Sequence, residues 1–248
     1  MSYDHGRFVW LEHISTDTDA AARFYGEVLS WGVNKMEMGD FTYPMITVGE
    51  GAVGGYVNKA DVPPSWLAYL SVEDVDASAR AVVENGGSVM AEPFSIPGVG
   101  RMAVVIDPQG GAFSLFKAET TDGPEPEGLG TFHWMELWAK DGEAAVAFYE
   151  KTFGFTHSEM QMPNGTYYVL QNGESMRGGI MTSPRKDVPT MWLPYVAVDD
   201  ADAAMTRVTN AGGKVHAPPM DVPGVGRFGI IQDPQGAVIG LIKPAAKG

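Results

Sequence analysis

Cysteine is absent from the 248 residues, which excludes disulfides, thiolate metal sites and cysteine nucleophiles and fits a reducing compartment. Basic residues are scarce: 17 Lys and Arg face 31 Asp and Glu, a formal net charge of −14. That balance repels phosphate backbones and anionic lipid head groups, so neither nucleic acid nor a membrane surface is an expected partner. No run approaches the roughly 18 apolar residues that a membrane-spanning helix needs. The opening MSYDHGRFVW also lacks the basic stretch and apolar run of a secretory signal, and the chain is read as cytoplasmic. What remains is ordinary globular material, 44% hydrophobic and 19% charged, long enough for two domains of roughly 100 to 150 residues.

The chain repeats itself. At a shift of 124 residues Trp10 falls on Trp134, Glu12 on Glu136, Phe24-Tyr25 on Phe148-Tyr149 and Gly54-Gly55 on Gly178-Gly179. A two-residue insertion then makes the shift 126, and Trp66, Tyr69, Asp76 and Gly86-Gly87 fall on Trp192, Tyr195, Asp202 and Gly212-Gly213. PGVGR at 97–101 recurs at 223–227, and DPQG at 107–110 recurs at 233–236. Self-similarity of this extent means duplication. The segment ETTDGPEPEGLG, 119–130, is rich in Gly, Pro and acidic residues and reads as a linker between domains 1–118 and 131–248.

Each copy reads as two βαβββ modules. Phe8 to Ile14 suits a strand; a helix follows, N-capped by Asp17 or Thr18, with Ala21, Phe24, Tyr25, Val28 and Leu29 at helical spacing. Gly32 is expected to end it. Three strands come next, around 33–38, 42–48 and 52–57, parted by Gly39-Asp40 and Gly49-Glu50-Gly51. The order then recurs: strand Trp66 to Val72, helix Val75 to Glu84, a stop at Asn85-Gly86-Gly87, and strands near 88–92, 101–107 and 111–117. One helix covers only one face of a four-stranded sheet, so the other face needs a partner or lines a cavity.

This order, the Phe-Tyr pair late in the first helix, the Gly-Gly after the second and the Asp-Pro-x-Gly turn before the last strand together resemble the vicinal-oxygen-chelate superfamily of glyoxalases, bleomycin-resistance proteins and dioxygenases. The resemblance covers nearly all of both copies. It implies an α+β fold of tandem glyoxalase/bleomycin-resistance domains, four βαβββ modules in curved mixed sheets with helices on the outer face. It also implies a cup holding a divalent metal on His, Gln or Glu of the first and last strands. Here those positions fall on Trp10 and Trp134, on Leu67 and Leu193, and on Ser114 and Gly240, while 53–57 and 177–181 offer no carboxylate or imidazole. The expected metal ligands and cofactors are therefore none. A register error of two residues would instead make Glu12 and Glu136 ligand candidates, although a lone carboxylate makes no stable site. The five histidines do not repeat: His13 faces Leu137, His133 faces Val9, His157 faces Val33, His216 faces Met90, and His5 lies in the N-terminal tail. They read as surface or packing residues.

By the resemblance Trp10, Glu12, Leu67, Tyr69, Ser114 and Phe116 line the cup, with Trp134, Glu136, Leu193, Tyr195, Gly240 and Ile242 as counterparts. Trp and Tyr walls with a few carboxylates suit a planar apolar or aromatic ligand; equally, the aromatics fill a closed core. Glu12 and Glu136 are the candidate acids or bases, since inward carboxylates are costly unless hydrogen-bonded or functional. Arg101 and Arg227, after the Pro-Gly-x-Gly loops, either bind an anionic ligand group or pair with a carboxylate, Glu12/Glu136 or Asp107/Asp233, to hold the loop. PGVGR lacks the strand–loop–helix context of a phosphate loop, and no Ser-His-Asp arrangement recurs. Methionines on the first-module sheets, Met36, Met38, Met45, Met160, Met162 and Met181, suit either a promiscuous pocket or core packing.

The leading expectation is a metal-independent glyoxalase-like protein, monomer or homodimer, that sequesters a small apolar or aromatic molecule or transforms it with Glu12 and Glu136. The alternatives are a metal-dependent lyase, isomerase or dioxygenase of the glyoxalase type, and a non-catalytic interaction scaffold. Whether the chain is an enzyme, lyase or oxidoreductase, stays open at this point.

Overall fold

The computed structural model describes residues 4–39, 41–123, 125–162 and 165–246. Asp40 of the expected Gly39-Asp40 turn lies outside the described residues, as do Pro124 of the expected linker and the extreme ends of the two expected domains. The first copy runs β1 (Phe8–Ser15), α1 (Thr18–Leu29), β2 (Gly32–Met38), β3 (Phe41–Val48) and β4 (Gly51–Asn58). It continues β5 (Ser65–Ser71), α2 (Val75–Glu84), β6 (Ser88–Ile96), β7 (Gly100–Ile106) and β8 (Ala112–Ala118). The second repeats the order with β9 (Phe132–Ala139), α3 (Gly142–Phe153), β10 (Thr156–Met162), β11 (Gly165–Asn172) and β12 (Ser175–Thr182). Then come β13 (Met191–Ala197), α4 (Ala201–Asn210), β14 (Lys214–Val222), β15 (Gly226–Gln232) and β16 (Val238–Pro244). The fold is the expected α+β arrangement of four βαβββ modules in mixed sheets.

All four helices start the same way. Asp17, Asp74, Asp141 and Asp200 each accept, through the side chain, the N–H of an alanine three residues on, Ala20, Ala77, Ala144 and Ala203, at 2.9 to 3.0 Å. Such a cap contributes about 1 kcal/mol by satisfying one orphan donor of the first turn. In α1 the buried positions Ala21, Phe24, Tyr25 and Val28 form one stripe at i, i+3, i+4 and i+7. The stop differs from the expectation: α1 ends at Leu29 with Ser30 in the left-handed conformation (φ 59°), and Gly32 is already the first residue of β2. In α3 the matching cap is Gly154 at φ 72°.

Eight strands form each sheet, in the order β2-β3-β4-β1-β5-β8-β7-β6 for the first copy and β10-β11-β12-β9-β13-β16-β15-β14 for the second. The first strand of a module pairs parallel with its last, Glu12 opposite Gly55 and Glu136 opposite Gly179, and the other pairs within a module are antiparallel. β6 runs to Ile96, well past the expected 92, because register shifts at Ala91 and Phe94 absorb Pro93 inside the strand.

Compactness divides the chain differently from the repeat. One unit takes the described residues of Met1–Trp10, Leu67–Glu125 and Met135–Trp192; the other takes Leu11–Trp66, Pro126–Trp134 and Leu193–Gly248. Each unit thus joins one module from each copy. In the first, α2 packs on α3; in the second, α1 packs on α4, and Arg207 Nε donates to Val28 O at 2.9 Å. The Gly-Pro-acidic stretch is held at both ends. In the first unit Asp122 accepts from Ser71 Oγ at 2.7 Å and its carbonyl from Arg7 at 3.0 Å; in the second, Gly130 O accepts Trp31 Nε1 at 2.7 Å.

The DPQG turns act as clamps within these units. In the first, Gln109 exchanges two hydrogen bonds with the backbone of Asp141, the α3 cap, at 2.7 and 2.8 Å. In the second, Gln235 does the same with Asp17, the α1 cap, whose N–H lies 3.1 Å from Gln235 Oε1. A motif read as a turn is therefore also the joint between modules of different copies.

Candidate functional site

Alternation along β1 puts Leu11, His13 and Ser15 into the helix-side core, leaving Trp10, Glu12 and Ile14 on the opposite face. Glu12 does not stand bare there. Tyr43 of β3 donates its hydroxyl to Glu12 Oε1 at 2.8 Å. The phenol reaches it by lying across Gly55, where an added Cβ would collide with the Tyr43 ring. Met45 pairs with Gly55, and Met36 with Tyr43, so two thioethers share the face. Met36 is 42% exposed and Phe41 56%, a high value for apolar side chains on a sheet.

The second copy keeps the frame and adds an indole donor. Tyr167 lies across Gly179, opposite Glu136, as Tyr43 lies across Gly55. Glu136 is buried and accepts from Trp138 Nε1 at 2.6 Å. Trp138 stands where the first copy has Ile14. The two carboxylates thus share a position, with Tyr43 donating to Glu12 and Trp138 to Glu136.

The second half of each copy sets aromatic rings against each other. Tyr69 meets Phe116 edge-on at 5.8 Å, and Tyr195 meets Phe228 at 5.6 Å. Leu67 and Leu193 are buried. Ser114, opposite Tyr69, is fully buried and spends its hydroxyl on Ala103 O at 3.2 Å. Gly240 is covered by the Tyr195 ring, which an added Cβ would strike. Trp10 and Trp134 are half-buried.

Arg101 and Arg227 pair with carboxylates other than those the sequence suggested. Arg101 grips Asp76 in a two-pronged bridge at 2.5 and 2.7 Å; Arg227 grips Asp202 at 2.7 and 2.9 Å and Asp221 at 2.8 Å. Asp76 and Asp202 sit in the first turns of α2 and α4. Each arginine therefore ties its glycine loop to a helix start, and its hydrogen bond holds the aspartate below the usual carboxylate range.

Two buried polar networks lie on the helix side. In the second unit Asp233 Oδ1 accepts the N–H groups of Gln235, Gly236 and Ala237 at 2.8 to 3.0 Å. Its Oδ2 accepts from His13 Nε2 at 2.6 Å and Tyr25 Oη at 3.1 Å, and Trp66 Nε1 donates to Tyr25 Oη at 3.2 Å. Burial pushes the Asp233 carboxyl up, but the His13 hydrogen bond and charge and the turn N–H groups outweigh it and hold it low. In the first unit Asp107, Tyr149 and Trp192 repeat the chain of bonds, with Leu137 in place of His13. Burial first, then the aspartate charge, raises both tyrosines well above the ordinary phenol range.

Among the described residues no three His, Asp or Glu side chains converge as a metal site would require. Indole, alkyl, a backbone-bonded hydroxyl and a ring-covered glycine stand where the resemblance places ligands. None of those groups is an ordinary ligand of a divalent ion. Sequence reasoning missed Tyr43, Tyr167 and Trp138. Thr-Tyr recurs at 42–43 and 166–167, and with the repeated Gly-Gly it was the available signal for an aromatic ring laid over a glycine.

Fold and site together define a duplicated βαβββ protein whose open sheet faces carry carboxylates among aromatic and thioether groups. Residues 131–241 match the Glyoxalase/Bleomycin resistance protein/Dioxygenase superfamily and residues 10–116 a Glyoxalase-like domain. The chain belongs to this superfamily. It is 40% identical to a Mycobacterium tuberculosis protein named "Putative glyoxylase CFP32", over 98% of this chain and 97% of that one. It is 29% identical to the anthracycline biosynthesis protein DnrV of Streptomyces peucetius, over 98% and 97%. Among solved structures, the Mn(II)-bound glyoxalase from Novosphingobium aromaticivorans aligns with a TM-score of 0.67 at 18% identity, covering 96% of this chain and 82% of that one. This last likeness speaks to the fold alone.

Proposed function

We propose that this protein binds a small planar apolar or aromatic molecule on the sheet face carrying Glu12, and on the matching face carrying Glu136, without a divalent metal. Glu12 and Glu136 meet a polar or cationic group of the ligand or serve it as acid or base. Trp10, Leu67, Tyr69 and Phe116 within the first unit, and Trp134, Leu193 and Tyr195 within the second, are the further candidates for apolar contact with a ligand; Arg101 and Arg227 serve mainly to hold loops. The carrying observation is the Tyr43–Glu12 bond at 2.8 Å on a face where Met36 and Phe41 stay open. A carboxylate oriented by a phenol beside exposed apolar side chains offers both shape and a charge-assisted acceptor. The name of the Streptomyces peucetius relative favours a polycyclic aromatic ligand. No helix among the described residues is long and apolar enough to cross a membrane. We also take 1–118 and 131–248 as the duplicated domains, 119–130 as their connection, and a cytoplasmic monomer or homodimer as the working form.

The test is a titration of the full chain with a dihydroxyanthraquinone, followed by tryptophan quenching, with EDTA and with added Mn²⁺. Saturable binding indifferent to EDTA is expected, weakened roughly tenfold or more by Glu12→Gln, the worth of a charge-assisted hydrogen bond. Binding that appears only with metal, or a stoichiometric metal in protein purified without chelator, overturns the metal-free reading. No saturation with any member of a planar aromatic panel overturns the ligand class.

A further inference from the structure

Three buried polar atoms of the second unit have no hydrogen-bond partner among the described residues: His13 Nδ1, Ser15 Oγ and Tyr56 Oη. His13 and Ser15 are completely buried and Tyr56 is 2% exposed. They are neighbours. His13 and Ser15 point to the same side of β1, and Tyr56 pairs with His13 across β1 and β4, their rings edge-on at 5.8 Å. Leaving one such group dry costs on the order of 1–3 kcal/mol, and native interiors rarely tolerate several together.

The other copy supplies a control. The residues matching His13, Ser15 and Tyr56 at the 124-residue shift are Leu137, Ala139 and Ile180. All three polar groups are replaced by apolar ones at once. In that unit Asp107, Tyr149 and Trp192 keep their bonds, so the imidazole and the extra phenol are not needed to hold the turn or the helix. The polar trio comes and goes as a set, which points to something it serves jointly.

We propose that the second unit contains an internal site for ordered water, in which a water molecule bridges His13 Nδ1 and Tyr56 Oη with Ser15 Oγ on the same polar wall, and that the first unit has no such site. Water fits because it donates to one group while accepting from another, and buried waters typically need two to four polar partners. His13 Nε2 is already engaged by the ionised Asp233, which places a proton on Nε2 and leaves Nδ1 as the ring nitrogen that meets the water. Burial and the charge of Asp233 raise the Tyr56 phenol, so its hydroxyl stays protonated and available to the same water.

The experiment is a crystal structure of the full chain at a resolution that shows water, paired with ¹⁵N NMR of the histidine rings in wild type and Tyr56→Phe. A density peak within hydrogen-bond distance of both His13 Nδ1 and Tyr56 Oη supports the site. So does an Nδ1 resonance typical of a hydrogen-bonded ring nitrogen that moves toward the unbonded value in Tyr56→Phe. A dry contact, a direct bond between His13 Nδ1 and Tyr56 Oη, or an Nδ1 shift untouched by Tyr56→Phe overturns it. His13→Leu with Ser15→Ala and Tyr56→Ile copies the first unit and should fold and lose the peak. A peak that persists in that triple variant also counts against the proposal.

Discussion

Replacing Asp233 and Asp107 separately by asparagine measures what one histidine adds to an otherwise repeated network. Asparagine keeps an oxygen for the turn N–H groups but presents a donor where Oδ2 stood. At 107 the loss falls on the Tyr149 hydroxyl, 3.1 Å from Oδ2, and costs about 1–2 kcal/mol, one buried hydrogen bond with its partner unsatisfied. At 233 the Tyr25 hydroxyl is lost in the same way, and the amide also faces the Nε2 proton of His13 across the former 2.6 Å bond. That bond is charge-assisted, so Asp233→Asn should cost about 1.5–3 kcal/mol more than Asp107→Asn. For a chain of this length the excess corresponds to roughly 4–10 °C in Tm. Thermal and urea unfolding of the full chain, followed by near-ultraviolet dichroism, give the comparison. Because Asp233 is held below its ordinary value when folded, its contribution is complete above about pH 4 and is lost as pH falls through the lowered folded value. The gap between wild type and Asp233→Asn should therefore narrow in acid. Equal losses at the two positions, or a gap that widens in acid, would refute the assignment of His13 as the added donor.

Three further outcomes follow from local geometry. Gly55→Ala should destabilise by about 1–3 kcal/mol through overpacking against Tyr43, and Tyr43→Ala should recover part of that loss in the double variant, a thermodynamic cycle that tests the phenol-over-glycine contact. Ser30→Gly should raise stability by up to about 1 kcal/mol, since Ser30 holds φ 59° where the second copy uses Gly154 at φ 72°; a loss of stability in urea unfolding would contradict the strain argument. Arg101→Ala should lower Tm by a small amount that shrinks in high salt, as expected of the partly exposed Asp76 bridge, while leaving dihydroxyanthraquinone affinity unchanged. A loss of affinity would return Arg101 to the ligand.

Much of the architecture was legible because duplication doubled every signal. The second helix, Val75 to Glu84, appears with the bounds read from its pattern, since Asp74 caps it and Asn85-Gly86 stops it. The end of α1 was not legible: Ser30 takes a left-handed conformation that serine rarely adopts, and the nearest glycine, Gly32, lay inside the next strand. The full length of β6 was hidden by Pro93, which argues against a strand unless a bulge accommodates it. Compact units that take one module from each copy could not be foreseen, because no local pattern encodes which module packs on which. The glutamine of DPQG, which carries two of those contacts in each unit, looks from the sequence like any turn residue.

Which side chains share a strand face was legible; which groups they bond was not. Period-two alternation placed Glu12 and Trp10 on one face, but nothing in spacing announces that Tyr43, on a strand two places away in the sheet, reaches over Gly55 to Glu12. The arginines show the converse. Their repetition was visible, yet the paired carboxylate had to be chosen among many in an acidic chain, and the choice fell on Asp76 and Asp202 for a reason of geometry: a planar fork beside the first helical turn engages both carboxylate oxygens. His13 is the most instructive position. Its failure to repeat argued against a duplicated metal site, and the same asymmetry, read together with Ser15 and Tyr56, becomes evidence for a polar pocket at this position of the fold in one unit and not at the matching position of the other. A difference between copies says nothing by itself; three coordinated differences on two adjacent strands constrain what must fill the space between them.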